Sequence, residues 1–340
     1  MKTWLLAITA CILGSFLLVA CNEEVETPTN EIPAAAAIGH PSIAGLTQKI
    51  QENPQSADLY AARAGIYYEN EGYDEAIQDL QMALRLDSTN IDYQHALADV
   101  YLDYYRAKEA LKTMERAAFM YPDRIPTLLK LTEFYLILEK QDLALKTLEQ
   151  IRAIDPINSE MFYMAGLVFN DLGKPDEAIS NFQSAVENDP DLLEAWVELG
   201  KLWSIKQKDI AIHFFDNALR VDSTNVTALH EKALYQAQSI DDLNGSLETY
   251  RKLISLHPQY EPAYYDSGLL LLEKDSIAAA KQQFDLAIQI NPTFVEAFYY
   301  RGLAAEFMGD GPSAKNDYEQ VLRMVPSYEA AKEGIERLNQ

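Results

Sequence analysis

Small and large apolar residues recur along most of this chain with a period of about 34 residues. The clearest series is a small residue, which is alanine at seven positions and serine at one. Its members are Ala76, Ala110, Ala144, Ala178, Ala211, Ser246, Ala280 and Ala314. A unit of this length cannot bury an apolar face by itself, so it must pack against its neighbours. The period therefore predicts an array of stacked units with an extended surface suited to binding.

Three further series keep the same period and define the interior of each unit. A large apolar residue lies four positions later, at Leu80, Met114, Leu148, Phe182, Phe215, Tyr250, Phe284 and Tyr318. Mostly small residues lie about twelve positions earlier, at Ala64, Ala98, Thr132, Gly166, Gly200, Ala233, Gly268 and Gly302. Another series lies seven positions later, at Ala83, Ala117, Ile151, Ala185, Ala218, Leu253, Ala287 and Val321. Because small side chains let helices approach closely, these series predict two tightly packed helices in each unit.

A helix-ending residue closes each unit. It lies twelve positions after the first series and is proline in six units and serine in two. These residues are Pro122, Pro156, Pro190, Pro258, Pro292, Pro326, Ser88 and Ser223. Proline lacks the backbone N–H that would continue a helical hydrogen-bond ladder. Each unit is therefore predicted to be a helix, a short turn, a second helix and a stop.

The residues of this frame resemble the tetratricopeptide repeat family. Large apolar side chains near the start of many first helices add to the resemblance, at Tyr60, Phe162, Trp196, Tyr264 and Phe298. The resemblance implies an all-α fold, a right-handed superhelical solenoid of about eight helix-turn-helix units. It also implies a scaffold that binds other proteins and is not an enzyme.

The repeat frame divides the chain into consecutive units. The solenoid is expected over 42–340, with a half-unit at 42–56 and a capping helix at 329–340. Between them, full repeats are expected at 57–90, 91–124, 125–158, 159–192, 193–225, 226–260, 261–294 and 295–328. The fifth repeat is one residue short near Lys208, and the sixth is one residue long near Gly245.

The N-terminal segment has a different character. Lys2 precedes an apolar run over 4–20, which is shorter than the span of about 20 residues that crosses a bilayer comfortably. The run ends in Leu-Val-Ala directly before Cys21, and this ending resembles a bacterial lipoprotein signal. The resemblance implies that residues 1–20 are removed as a signal peptide and that Cys21 carries lipid, such as palmitate. A plain secretory signal and a single membrane anchor are the alternatives.

Residues 21–41 comprise this cysteine and a segment rich in Glu, Pro, Thr and Ala that has no helical period. We expect a flexible tether with a root-mean-square reach of about 25 Å. Asn22 resembles the outer-membrane sorting position of enterobacterial lipoproteins, whereas Glu23 and Glu24 resemble surface-export signals of Bacteroidota lipoproteins. An acidic linker is the alternative to an export signal. The expected location is the bacterial outer membrane. The sequence does not distinguish its periplasmic face from its cell-surface face.

Charge and residue types exclude several classes of function. The net charge is −24, and it becomes −25 once Lys2 is removed with the signal peptide. Nucleic-acid binding needs clustered Lys and Arg, which this chain lacks, so we expect no nucleic-acid partner. The five histidines are scattered without the i, i+4 spacing of a helical zinc site. We therefore expect no catalytic residues, no metal and no cofactor.

The first helix of each repeat lines the concave face in the tetratricopeptide repeat family. The positions that this resemblance assigns to partner binding are Tyr68, His95, Asp99, Glu133, Tyr163, Asn170, Lys201, Tyr265, Tyr299 and Glu306. Tyrosine offers a large contact area, and carboxylates attract Lys and Arg. The expected partners are other envelope proteins or peptides with basic and apolar side chains, while the lipid holds the chain on the membrane.

Two alternatives to this interpretation stay open at the level of sequence. The tyrosines can instead seal contacts between neighbouring repeats. The whole chain can instead be a glycan-binding surface lipoprotein of a nutrient-uptake system, since such proteins also combine repeat helices with aromatic platforms. Those proteins carry a large non-repeat region over the helices, and this chain has no such insertion.

Overall fold

A computed structural model describes residues 41–206 and 209–339 of the chain. Within these residues it contains 18 α-helices and no β-strand. The predicted signal peptide at 1–20, the proposed lipid site Cys21 and the tether up to residue 40 lie outside the described residues. No helix in the described ranges is both long enough and apolar enough to cross a membrane.

The helices follow one another along the chain with short turns between them. Their bounds are α1 Pro41–Glu52, α2 Ala57–Glu69, α3 Tyr73–Leu86, α4 Ile91–Asp103, α5 Ala107–Met120, α6 Ile125–Ile137, α7 Gln141–Ile154, α8 Ser159–Asp171, α9 Pro175–Asn188, α10 Leu193–Lys206, α11 Ala211–Val221, α12 Val226–Gln238, α13 Leu243–Leu256, α14 Glu261–Glu273, α15 Ile277–Ile290, α16 Val295–Phe307, α17 Gly311–Met324 and α18 Glu329–Leu338. The all-α solenoid predicted from the repeat pattern is confirmed.

The described chain separates into two compact units, at residues 41–90 and 91–339. In the first unit, α2 packs against both α1 and α3. A bidentate ion pair joins Arg63 to Asp79 at 2.6 and 2.7 Å, and Arg63 Nη1 also donates to Thr47 Oγ1 at 2.9 Å. One guanidinium therefore ties all three helices of this unit together.

In the second unit, helices from α4 to α17 form antiparallel pairs, each of which packs on the next, and α18 covers the last pair. The predicted large residues fill the space between the helices of a pair. Phe215 of α11 lies against Gly200 of α10, where an added Cβ would come within 2.5 Å of Phe215 Cε1. Gly166 and Phe182 repeat this arrangement at 2.4 Å. The glycines thus allow a close approach that any side chain would obstruct.

The first predicted series forms the centre of the packing in both units. Its eight members all have 0% exposure, namely Ala76, Ala110, Ala144, Ala178, Ala211, Ser246, Ala280 and Ala314. The single serine satisfies its hydroxyl by donating to Ala233 O at 2.8 Å. A buried hydroxyl without that partner would cost free energy, so the exception to alanine is compensated locally.

Within the described residues, the turn between the two helices of a pair includes one residue with a left-handed backbone in seven of the eight repeats. Glycine adopts it at Gly173 and Gly309, with φ values of 68° and 77°. Non-glycine residues adopt it at Glu71, Tyr105, Glu139, Asp241 and Asp275, with φ values from 53° to 60°. A side chain in this conformation costs on the order of 1 kcal/mol relative to glycine.

Candidate protein-binding surface

The outward side chains of the first helices of the second unit, α4, α6, α8, α10, α12, α14 and α16, form one candidate surface. We call it the first-helix surface. First helices of neighbouring repeats contact each other directly at α6 and α8, at α10 and α12, and at α14 and α16. Within the described residues, no two neighbouring second helices approach as closely. The first helices therefore line the narrower side of this stack.

The predicted residues on α4, α6 and α8 differ in their exposure and in their contacts with other side chains. Glu133 of α6 and Asn170 of α8 are exposed. Asp99 of α4 forms an ion pair of 2.7 Å with Lys130 of α6, which joins two successive repeats. His95 Nε2 lies 3.2 Å from Thr127 Oγ1, and burial lowers the pKa of this histidine. Glu133 and Asn170 are thus the best placed of these residues for direct contact with a partner.

Tyr163 of α8 is half-buried and packs against Phe182 with 5.8 Å between ring centroids. Burial raises the pKa of Tyr163 to about 12, and the carboxylates of Glu198 and Glu194 contribute to this rise. The phenol therefore remains protonated at neutral pH and can donate a hydrogen bond. Its surroundings are negative, which favours a cationic group at this point of the surface.

The tyrosines of the last repeats take part in packing between repeats. Tyr265 lies 4.8 Å from Phe294 and 5.9 Å from Tyr300 between ring centroids, and burial raises its pKa strongly. Tyr299 lies 5.3 Å from Tyr328 and also packs on Tyr318. Both rings are half-buried and present only part of their area to solvent. Their sealing role is evident in the structure, and any contact with a partner uses the remaining exposed area.

Glu306 is held by residues at the C-terminal end of the stack. Its carboxylate accepts a hydrogen bond of 2.6 Å from Tyr318 Oη and a bidentate contact of 2.9 and 3.0 Å from Arg337. Arg337 lowers the pKa of Glu306 through these hydrogen bonds. The carboxylate therefore connects α16, α17 and α18, and its charge is already compensated.

The two remaining predicted residues are Tyr68 and Lys201. Tyr68 belongs to the first unit, in α2, and therefore falls outside the helices that define the first-helix surface. It is half-buried, and its ring meets Tyr73 edge-on with 6.1 Å between centroids. Lys201 lies on α10 of the second unit and donates to Glu198 Oε1 at 2.8 Å. This predicted cation is thus shared with an acidic neighbour on its own helix.

Three carboxylates that the sequence analysis did not select form a row along this surface. Glu198, Glu231 and Asp266 lie on α10, α12 and α14, and all three are half-buried. They follow one another at nearly the repeat period, which is the signal that would have identified them. Burial raises the pKa of Glu231; the charge of Lys201 opposes this rise, and the charge of Glu198 adds to it. We call these three residues the carboxylate row.

Asp266 is the most constrained member of the carboxylate row. Burial raises its pKa to about 6, although Tyr250 Oη donates a hydrogen bond of 3.1 Å to Oδ2. His230 Nε2 lies 3.8 Å from the same oxygen, and burial lowers the pKa of this histidine. The His230 ring makes T-shaped contacts with the rings of Tyr250 and Tyr260. This end of the row therefore combines a titratable carboxylate with aromatic faces.

A metal site needs several ligand side chains that converge on one point. The described residues contain no group of three or more His, Cys, Asp or Glu side chains placed to hold a metal ion. The carboxylates of the row instead lie one per repeat. This spacing suits an elongated ligand that contacts several repeats in turn.

Comparison with protein families identifies the repeats. A family described as "TPR repeat" matches residues 64–103, and one described as "Tetratricopeptide repeat" matches residues 159–192 and 261–294. The chain contains tetratricopeptide repeats. Such repeats imply a protein–protein interaction scaffold.

Curated relatives share part of this tetratricopeptide repeat array. The chain is 28% identical over 176 residues to "N-alpha-acetyltransferase 16, NatA auxiliary subunit" of Mus musculus, covering 51% of this chain and 20% of the relative. It is 35% identical over 106 residues to "N-terminal acetyltransferase A complex auxiliary subunit NAA15" of Arabidopsis thaliana, covering 31% and 12%. The matches thus span a fifth or less of these two relatives.

Solved structures show the same fold at low sequence identity. The C-terminal part of a TPR repeat-containing protein from Cytophaga hutchinsonii aligns with a TM-score of 0.56 and 18% identity, covering 72% of this chain and 99% of that one. Pseudomonas aeruginosa pilF aligns with a TM-score of 0.53 and 18% identity, covering 61% and 95%. At such identities the likeness concerns the fold alone.

Proposed function

We propose that this chain is a lipid-anchored scaffold of the bacterial cell envelope that binds protein or peptide partners along its first-helix surface. The observation that carries this proposal is the carboxylate row of Glu198, Glu231 and Asp266. Half-buried carboxylates interact with an incoming cation more strongly than fully solvated ones, because less water screens them. Lys201 compensates part of the charge of Glu198, and the negative charge that remains on the row favours an elongated partner with Lys or Arg side chains.

The aromatic residues beside the row define the other half of the partner's chemistry. Tyr163 and Tyr260 are half-buried next to these carboxylates, and burial together with the surrounding negative charge raises the pKa of both phenols. Tyrosine rings provide large contact areas with little loss of conformational entropy, and cations bind favourably over their faces. A partner with alternating basic and apolar side chains fits this arrangement.

The proposed location comes from the N-terminal sequence. The apolar run at 4–20 ends directly before Cys21 and is followed by polar residues. Each buried methylene of an attached acyl chain contributes about 0.8 kcal/mol, so two or three chains anchor a protein stably. We propose attachment to the outer membrane, where the partners are other envelope proteins.

The test of this function places positive charge on exposed parts of the first-helix surface. Glu133 and Asn170 are exposed, so Glu133→Lys with Asn170→Lys changes the surface without disturbing the core. Proteins crosslinked to the chain in living cells are purified and identified. We expect the double variant to lose most of the recovered partners while retaining its helical circular dichroism.

The matched control places the same changes on a second helix. Glu187→Lys with Asn188→Lys alters two exposed residues at the end of α9. This control is expected to recover partners as the unmodified chain does. Equal recovery by both double variants would show that the partners do not contact the first-helix surface at α6 and α8.

A further inference from the structure

Large apolar side chains are exposed at the turns that join the two helices of a repeat in the second unit. Tyr105 is 96% exposed and Ile205 is 85% exposed. Further exposed apolar residues at these turns are Tyr104, Ile137, Leu172, Ile210, Ile240, Phe307 and Met308. We call the edge formed by these turns the turn edge. Exposed apolar groups that recur in successive repeats indicate an interaction surface.

Polar contacts join the turns of neighbouring repeats at three places along the turn edge. Gln141 at the start of α7 donates to Asp171 at the end of α8, and Lys206 at the end of α10 pairs with Asp176 near the start of α9. Further along, Lys274 Nζ donates to Asn244 Oδ1 at 2.9 Å. The first two contacts hold the turns of the third, fourth and fifth repeats beside one another, so the exposed Ile137, Leu172 and Ile205 lie in one row.

Basic residues accompany the apolar ones in four successive repeats. Arg106, Lys140, Lys174 and Lys206 each lie within three residues of an exposed apolar side chain. Carboxylates are also present, as Glu139 is beside Lys140. The turn edge thus carries both signs of charge in a chain whose net charge is −24.

Tyr105 shows that an apolar side chain is retained at the turn edge at a cost. Its backbone is left-handed, with φ of 58°, where the fourth and eighth repeats have glycine. A bulky residue in this conformation is strained, and such strain is commonly associated with a functional role. The ring projects into solvent, so packing within the fold does not explain it.

We propose that the turn edge lies in the head-group region of a lipid bilayer. Tyrosine is favoured at this depth, and lysine can extend its charged end to the water while its methylenes stay apolar. Single apolar side chains at the tips of turns match shallow insertion into the head-group region. The mixed charges suit zwitterionic head groups.

This inference rests on the lipid anchor proposed above. The described helices begin at Pro41, twenty residues after Cys21. The sequence predicts a tether there, and a flexible chain of that length has a root-mean-square reach of about 25 Å. Tethering raises the effective concentration of lipid at the turn edge, so weak individual insertions suffice.

The experiment compares two exposed apolar positions at opposite ends of the helices. Ile205 lies on the turn edge, and Phe119 lies near the end of α5 with 86% exposure. Ile205→Cys and Phe119→Cys are made separately in the full chain, labelled with a polarity-sensitive fluorophore and reconstituted into phosphatidylethanolamine vesicles with nitroxide-labelled lipid. We expect about twofold or greater quenching at position 205 and little at position 119.

Each result has a separate meaning. Equal, weak quenching at both positions with the protein still on the vesicles would overturn this inference and leave the anchor intact. Failure of the unlabelled chain to sediment with membranes would overturn the anchor and this inference together. Loss of quenching at position 205 when a copurified envelope protein is added would assign the turn edge to that protein instead.

Discussion

At the residue scale, the pairing of glycine with a large aromatic side chain governs how closely two helices pack. An added Cβ at Gly200 would lie 2.5 Å from Phe215 Cε1. Ala, Thr and Gly occupy the equivalent positions, so the space available there is small in every repeat. Stability of the stack therefore depends on residues that themselves contribute little apolar area.

We predict that Gly200→Leu lowers the free energy of unfolding by about 1–3 kcal/mol or more, because the added side chain overpacks the contact with Phe215. The same change at Gly65 is the control, since an added Cβ there meets nothing within 4 Å. Urea unfolding followed by circular dichroism measures both. Equal losses at the two positions would contradict close packing between Gly200 and Phe215.

The second prediction at this scale concerns Asp266, whose burial raises its pKa from 3.8 to about 6. Because the folded pKa lies above the unfolded one, its contribution to stability is present below about pH 4 and is lost as pH rises through 6. Asp266→Asn removes this dependence, so the variant should gain about 2 kcal/mol relative to the unmodified chain between pH 4 and 7.

Urea unfolding at several pH values from 4 to 7 tests this prediction. His230 has the opposite effect on the pH dependence of stability. Burial lowers its pKa, so its contribution to the free energy of unfolding is lost on acidification. His230→Gln should therefore leave the Asp266 effect in place. Stability curves of the Asp266→Asn variant and the unmodified chain that run parallel with pH would disprove the assignment.

At the scale of elements, the turn at Tyr105 combines a left-handed backbone with an exposed aromatic side chain. Tyr105→Gly should raise the free energy of unfolding by up to about 1 kcal/mol, because glycine adopts a left-handed backbone without strain. Thermal unfolding measures the change. A loss of stability would show that the Tyr105 ring makes contacts that its 96% exposure does not reveal.

Gly173→Ala provides the reciprocal test at the equivalent position of the fourth repeat. Its φ is 68°, and no atom lies within 4 Å of the site of an added Cβ. Any destabilisation therefore comes from the backbone alone and should be about 1 kcal/mol. An unchanged melting temperature would contradict a strained turn at both positions.

At the scale of the whole molecule, the repeats supply the surface and the N-terminal segment supplies the proposed location. Cys21→Ser is predicted to move the chain from the membrane fraction to the soluble fraction, because no acyl chain can then be attached. Cell fractionation and mass spectrometry of the mature N-terminus measure this. An unmodified chain that retains residues 1–20 and carries no lipid would refute the anchor.

The repeat pattern alone determined the helices and their packing, because each repeat supplies a small residue and a large one at the same positions. Ala178 and Phe182 could thus be placed in the core from spacing, and both have 0% exposure. The ends of the second helices follow the same pattern, since a proline or serine of the series lies two residues after each of them.

Only the tertiary structure decided which polar residues are already held by contacts within the fold. Glu306 is held by Arg337, which lies 31 residues later on the capping helix, and Tyr265 is sealed between repeats. It also placed Glu198, Glu231 and Asp266 in one half-buried row. The physical reason is that spacing along a helix assigns a residue to a face, whereas the packing of the neighbouring helix decides how much of that face meets water.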